Sequence, residues 1–260
     1  MTIKVGRLVE TAALYQESYE MCRRLAEADP NNANRKRDLR NALRHLANLA
    51  GRKRQHEVAY GRHKEALAIQ KELAEAESDR PETRHQLAIS LIDLGTSARK
   101  LNRTEEALSC FLESMPILRS LVVIRPIDSE FRHSLGSLLL TQGDAVMARG
   151  QVDDAWQHYE EGHQVLLCLA QAAPNRADRR LDLARALGHL GEKALTEAER
   201  GARLYEGKAK HYLEECHQLL EDLLQGEPYR EDLKKALATC HKHLTRLASL
   251  SRGSGEIDAF

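Results

Sequence analysis

Aromatic residues are scarce in this 260-residue chain: three Phe, seven Tyr and one Trp, 4% of the whole. A nucleic-acid surface that stacks bases needs aromatics interleaved with basic residues, so that mode of recognition is disfavoured. Excess charge of either sign is also missing. Lys plus Arg is 39 and Asp plus Glu is 39, so no global field draws the chain to polyanions or to a membrane surface. No apolar run approaches transmembrane length, and residues 1–28 lack the hydrophobic core of a signal segment, which leads us to expect a cytoplasmic location. The five cysteines are odd in number and widely spaced. They fall inside helical patterns, as expected of reduced thiols.

What the chain does have is a leucine stripe. Leu87, Leu91 and Leu94, followed by Gly95, fall at i, i+4 and i+7, one face of an α-helix. The stripe recurs as Leu39/Leu43/Leu46, Leu135/Leu139 with Gly143, Leu183/Leu187/Leu190 with Gly191, and Leu233/Leu237. The first leucines are 48, 48, 48 and 50 residues apart, a period that denotes a repeat protein. Prolines 30, 81, 126, 174 and 228 punctuate the pattern, each after one helix and at the entry to the next.

The pattern predicts ten helices, over 10–28, 33–58, 62–78, 82–101, 104–122, 128–149, 152–172, 176–199, 205–225 and 229–250. On the first, Leu14, Tyr15, Ser18, Met21, Cys22 and Leu25 form the expected packed side. The second helix of each pair is keyed to Ala66, Ala107, Ala155 and Ala209. On that register the first and fourth repeats carry six or seven extra residues, about two helical turns. Residues 1–9 read as a lead-in and 251–260 as a flexible tail. Residues 10–250 read as one helical solenoid: a partial first repeat, four full repeats and a capping helix at 229–250.

Leu-x-x-Leu-Gly, an Ala about 12 residues on, an aromatic four later and then Pro resembles the tetratricopeptide repeat. The second repeat reads Leu91, Leu94, Gly95, Ala98, Ala107, Phe111, Ser114 and Pro126. The third reads Leu139, Gly143, Val146, Ala155, Tyr159, Gly162 and Pro174. The resemblance implies an all-α fold, an α-α superhelix of about ten antiparallel helices. The usual unit is 34 residues. The longer unit here looks like that of bacterial signalling and scaffold proteins, with the added length mainly in the second helix and the start of the next first helix. His241 stands where Gly95, Gly143 and Gly191 stand, tolerable in a terminal helix that nothing crosses.

No motif for chemistry survives inspection. His56-Glu57-Val58-Ala59-Tyr60 lacks the second histidine of a zinc-protease helix. The stretch from Gly201 to Lys208 has the wrong spacing for a phosphate loop, and Ala209 replaces the required hydroxyl. Cys216-His217 and Cys240-His241 would lie level in an antiparallel pair, but core cysteines explain them better than zinc. We therefore expect no catalytic residue, no metal and no cofactor.

In stacked helix pairs the first helices line the concave face. That assigns Arg37, Asn41, Arg44, Asn48, His85, Ile89, Ile92, His133, Leu140 and Arg185 to a candidate partner surface. Arginine forks suit carboxylates, and isoleucines offer an apolar anchor. The expected activity is a non-enzymatic scaffold or adaptor that binds a protein segment, acidic with an apolar anchor. The alternative is nucleic-acid or polyanion binding through basic residues 35–64. Arg44 and Asn48 match the start of the carboxylate clamp of chaperone-binding tetratricopeptide domains, but Asp93, Ser137 and Thr141 break the rest of it.

Overall fold

A computed structural model of the chain describes the backbone of residues 2–255 and the side chains of residues 12–250. Within that range it is all-α, with ten helices: α1 (Thr2–Ala28), α2 (Ala33–Arg52), α3 (His56–Ala76), α4 (Pro81–Lys100), α5 (Thr104–Ile124), α6 (Ser129–Ala148), α7 (Val152–Ala172), α8 (Ala177–Glu199), α9 (Leu204–Gly226) and α10 (Glu231–Gly255). The expected lead-in is helical from Thr2, and α10 runs to Gly255. The remainder of the expected tail, 256–260, lies outside the described residues. The chain divides within α7 into two compact units, Met1–Gln157 and His158–Phe260.

The helices of each pair are joined by one turn used four times. A residue with positive φ stands at Arg54 (60°), Asn102 (59°), Gly150 (78°) and Gly201 (96°). The next amide reaches back to close the helix: Gln55 N–Ala50 O 2.9 Å, Arg103 N–Ala98 O 3.0 Å, Gln151 N–Val146 O 3.4 Å and Ala202 N–Glu197 O 3.1 Å. This is the left-handed helix terminus that glycine and asparagine favour. Arginine is not a usual occupant, so the sequence pattern carries α2 on to 58. The structure ends α2 at Arg52 and starts α3 at His56.

That correction changes the register. Ala59, not Ala66, is the counterpart of Ala107 and Ala155, and all three are buried. The first repeat has no insertion. Ala66 packs instead with Tyr19, Ala42 and Leu43 in the core that seats α1. In the fourth repeat the extra length is present: α8 has 23 residues against 20 in α2, α4 and α6, and α9 has 23 against 21 in α3 and α5.

Two further expectations need correcting. On α1 the packed side is Tyr19 and Ala26, with Cys22 beside them, while Leu14, Met21 and Leu25 are exposed. And α5 is, by length and composition, apolar enough to cross a membrane, although about 39% of its most apolar window is buried within the fold. Its residues Phe111, Ser114, Leu118 and Leu121 are fully buried. The helix runs through Pro116, which is exposed, so solvent can reach the carbonyl that the proline leaves unpaired.

Small residues hold each pair together. A Cβ on Gly95 would lie 2.5 Å from Phe111 Cε1 and 3.1 Å from the Ala107 carbonyl oxygen. A Cβ on Gly191 would lie 2.6 Å from Leu213 Cγ. The 2.5 and 2.6 Å contacts are shorter than real Cβ atoms show, so these helices cross on glycine. His241, at the equivalent position of α10, is exposed.

Within Met1–Gln157 the first helices touch one another directly. Arg44 Nε lies 2.7 Å from Asp93 Oδ2, His85 Nε2 is 2.8 Å from Ser134 Oγ, and Arg99 is 3.3 Å from Asp144. Second helices bond in the same way, through Tyr60–Glu106 and Lys71–Glu113. Within His158–Phe260, Lys208 bonds Glu160 at 2.7 Å, and Arg246 on α10 bonds Glu199 on α8 at 2.6 Å.

Candidate functional site

The candidate partner residues do not form one uniform surface. Arg37 on α2 is half-buried. It donates to Asn34 Oδ1 at 2.9 Å and forms an ion pair with Glu77, which follows the end of α3. Glu77 also accepts from Thr83 Oγ1 at 2.8 Å and pairs with Arg80 at 3.3 Å. The Arg37 and Thr83 hydrogen bonds favour the carboxylate and lower its pKa from the usual 4.5 to about 2. Arg44 is committed to Asp93, the residue that breaks the clamp pattern, although it stays partly exposed.

His85 is occupied as well. Its ring packs 4.8 Å from that of Phe131 while Nε2 bonds Ser134, and burial lowers its pKa. It acts as a bridge between α4 and α6. His133 is half-buried on α6, as are Ile89 and Ile92 on α4 and Leu140 on α6. Asn41 and Asn48 are exposed on α2, and Asn41 accepts from Arg40 at 2.7 Å. Arg185 is exposed on α8, 3.4 Å from Asp182, and belongs to the second unit, His158–Phe260.

Beside Arg37 lies a groove of about 450 Å³ between α2, α3 and the start of α4, lined by Arg40, Gln70, Arg80, Thr83 and Gln86 among others. Arg40 was not among the sequence candidates, yet it is 93% buried: its relative exposure is 7%. It donates to Gln70 Oε1 and to Asn41 Oδ1. Burial, with Arg44 and Arg37 nearby, lowers its pKa from 12.5 to about 10, so it remains a cation at neutral pH.

Of the ten basic residues in 31–64, Lys36, Arg37, Arg44 and Arg62 pair with Glu72, Glu77, Asp93 and Glu65. The polyanion segment is thus partly neutralised by the fold. A histidine–serine contact also occurs in the core, His63 Nδ1 to Ser97 Oγ at 2.8 Å, but His63 Nε2 is buried without a partner. No carboxylate orients the ring, so the contact lacks the relay that activates a nucleophile.

Cys216 and Cys240 are both buried free thiols that donate to backbone carbonyls, of Ala184 and Leu213, each at 3.2 Å. The contact with Cys240, together with burial, raises the Cys216 pKa. Among the described residues no group of three or more His, Cys, Asp or Glu is placed to hold a metal ion.

No family model and no curated protein matches the sequence. Solved structures do. BtubC (BKLC) from P. vanneervenii is 16% identical and superposes over 97% of this chain and 93% of its own, with a TM-score of 0.54. A thermophilic TPR protein of Thermus thermophilus is 15% identical over 91% of this chain and 95% of its own, with a TM-score of 0.47. The likeness is one of fold. With helix pairs crossing on Gly95 and Gly191, the chain has a tetratricopeptide-repeat-like architecture.

Proposed function

We propose that the protein is a non-enzymatic interaction module that binds an acidic protein segment carrying an apolar anchor, along the first helices of Met1–Gln157. The observation that carries this reading is that α2 bears Arg37, Arg40 and Arg44 and α4 bears the half-buried Ile89 and Ile92, with Arg44 reaching α4 at Asp93, the residue after Ile92. Charge orients docking and apolar contact holds it. The ion pairs of Arg37 and Arg44 leave both side chains partly exposed, Arg44 more than Arg37. Protein partners rather than nucleic acid are favoured by the pairing of the basic segment and by the scarcity of aromatics.

The test is selection from a displayed random-peptide library, followed by titration of the enriched peptides. Enrichment of acidic sequences with Leu, Ile or Phe, and faster dissociation from Ile89→Asp, is the expected result. Enrichment of nothing over a scrambled control, alongside RNA binding with a steep salt dependence, would replace this reading with the polyanion one.

A further inference from the structure

Arg40 stands where the other repeats carry a small residue. Aligned on the leucine stripe, its counterparts are Ala88, Gly136 and Ala184, all buried. Its partner Gln70, fully buried, stands where Leu118, Leu166 and Leu220 stand. One repeat has therefore exchanged a small–leucine pair for a buried cation and an amide. Gln70 is locked in orientation: its Nε2 donates to the Thr83 carbonyl at 2.9 Å, so Oε1 faces Arg40.

Both bonds of Arg40 go to neutral amides. The acids around the groove are already engaged, Glu77 by Arg37 and Arg80, and Glu82 by Arg125 at 2.7 Å. Each of these carboxylates is met by an arginine, whereas the hydrogen bonds of Arg40 reach no carboxylate. A buried cation that its own fold does not neutralise is costly to keep.

We infer that the groove between α2, α3 and the start of α4 is an anion subsite centred on Arg40, shaped to take one carboxylate of an acidic peptide. One carboxylate of a peptide would supply the acidic partner that Arg40 lacks. Asn34 and Gln86 supply amide groups at the rim, and the guanidinium offers the fork a carboxylate matches. Gln70 is a positioning residue that aims Arg40. The inference rests on the peptide-binding reading and gives it an address at Arg40, in the groove that Arg37 also lines.

The experiment uses the full chain and three blocked octapeptides that combine Leu with Glu, with Gln, or with phosphoserine. The Arg40 Nε–H resonance, assigned by its loss in Arg40→Lys, is followed by NMR while affinity is read by calorimetry. The Glu peptide should shift that resonance saturably, and the Gln peptide should not. The double variant Arg40→Ala/Gln70→Leu restores the pattern of the other repeats and so should fold; it should bind the Glu peptide at least tenfold more weakly. Phosphoserine binding tenfold tighter than Glu would overturn the carboxylate assignment. Unchanged affinity in the double variant, with loss in Ile89→Asp, would overturn the subsite while leaving peptide binding intact. If neither charged peptide binds the wild type, both readings fall.

Discussion

Arg40 and Gln70 meet 30 residues apart in sequence, one hydrogen bond joining a buried guanidinium to a buried amide. Each depends on the other. Without Gln70 the cation loses a buried acceptor, and without Arg40 the Gln70 carbonyl faces apolar surroundings. The pair should therefore behave as a unit under mutation.

Gln70→Leu alone should destabilise by about 1.5–3 kcal/mol, since it removes a hydrogen bond to a buried charge. Arg40→Ala alone should destabilise by about 1–3 kcal/mol, the penalty for an unsatisfied buried acceptor. The double variant should be no less stable than wild type, because replacing a buried polar pair by a packed apolar one is often neutral or stabilising. Urea unfolding measures all three. A double variant less stable than either single variant would show that the pair is a structural staple instead.

Gly95→Leu should lower stability by about 1–3 kcal/mol or more, because its side chain would drive apart Phe111 and the α5 backbone. His241→Leu, at the matching exposed position, should change it by no more than about 0.5 kcal/mol. Equal losses in thermal unfolding would refute the assignment of α10 as an uncrossed terminal helix.

Glu77 ties α2 to α4 through Arg37 and Thr83, and its pKa of about 2 lies below the ordinary 4.5. Between those values the unfolded chain binds the proton more readily than the folded one, so stability falls as pH drops through that window. Glu77→Gln removes this dependence. The Tm advantage of wild type over the variant should be constant above about pH 5.5 and should shrink between about pH 4.5 and 2. A difference that does not change with pH would mean the carboxylate charge contributes nothing.

Thiol labelling should sort the cysteines by burial. Cys168, which is exposed, should react first with a maleimide, and half-buried Cys22 more slowly. Cys110, its pKa pushed up to about 11 by burial, should resist in the native protein together with Cys216 and Cys240. Mass spectrometry after timed quenching reads the order. Rapid labelling of Cys216 would show that α9 and α10 open easily.

The sequence by itself determined the helices and their pairing. Leucine spacing, Gly95, Asn102 and Gly150 are local signals, and a 3.6-residue period needs no distant partner to be legible. The same reading failed at Arg54, where no small or amide-bearing residue marks the turn; the packing of α2 on α3 imposes positive φ on an arginine. It failed again on α1, where two apolar stripes compete and only the neighbouring helices decide which one is covered. The candidate site divides along the same line. Arg37, Arg44, Ile89 and Ile92 are visible as a helical stripe, but Glu77 is 40 residues from Arg37 and Asp93 is 49 from Arg44. Which charges are spent inside the fold, and which one at Arg40 meets no carboxylate, depends on pairings across helices that are adjacent only once the stack has formed. Periodicity places a residue on a face, whereas burial and charge balance arise from what that face meets.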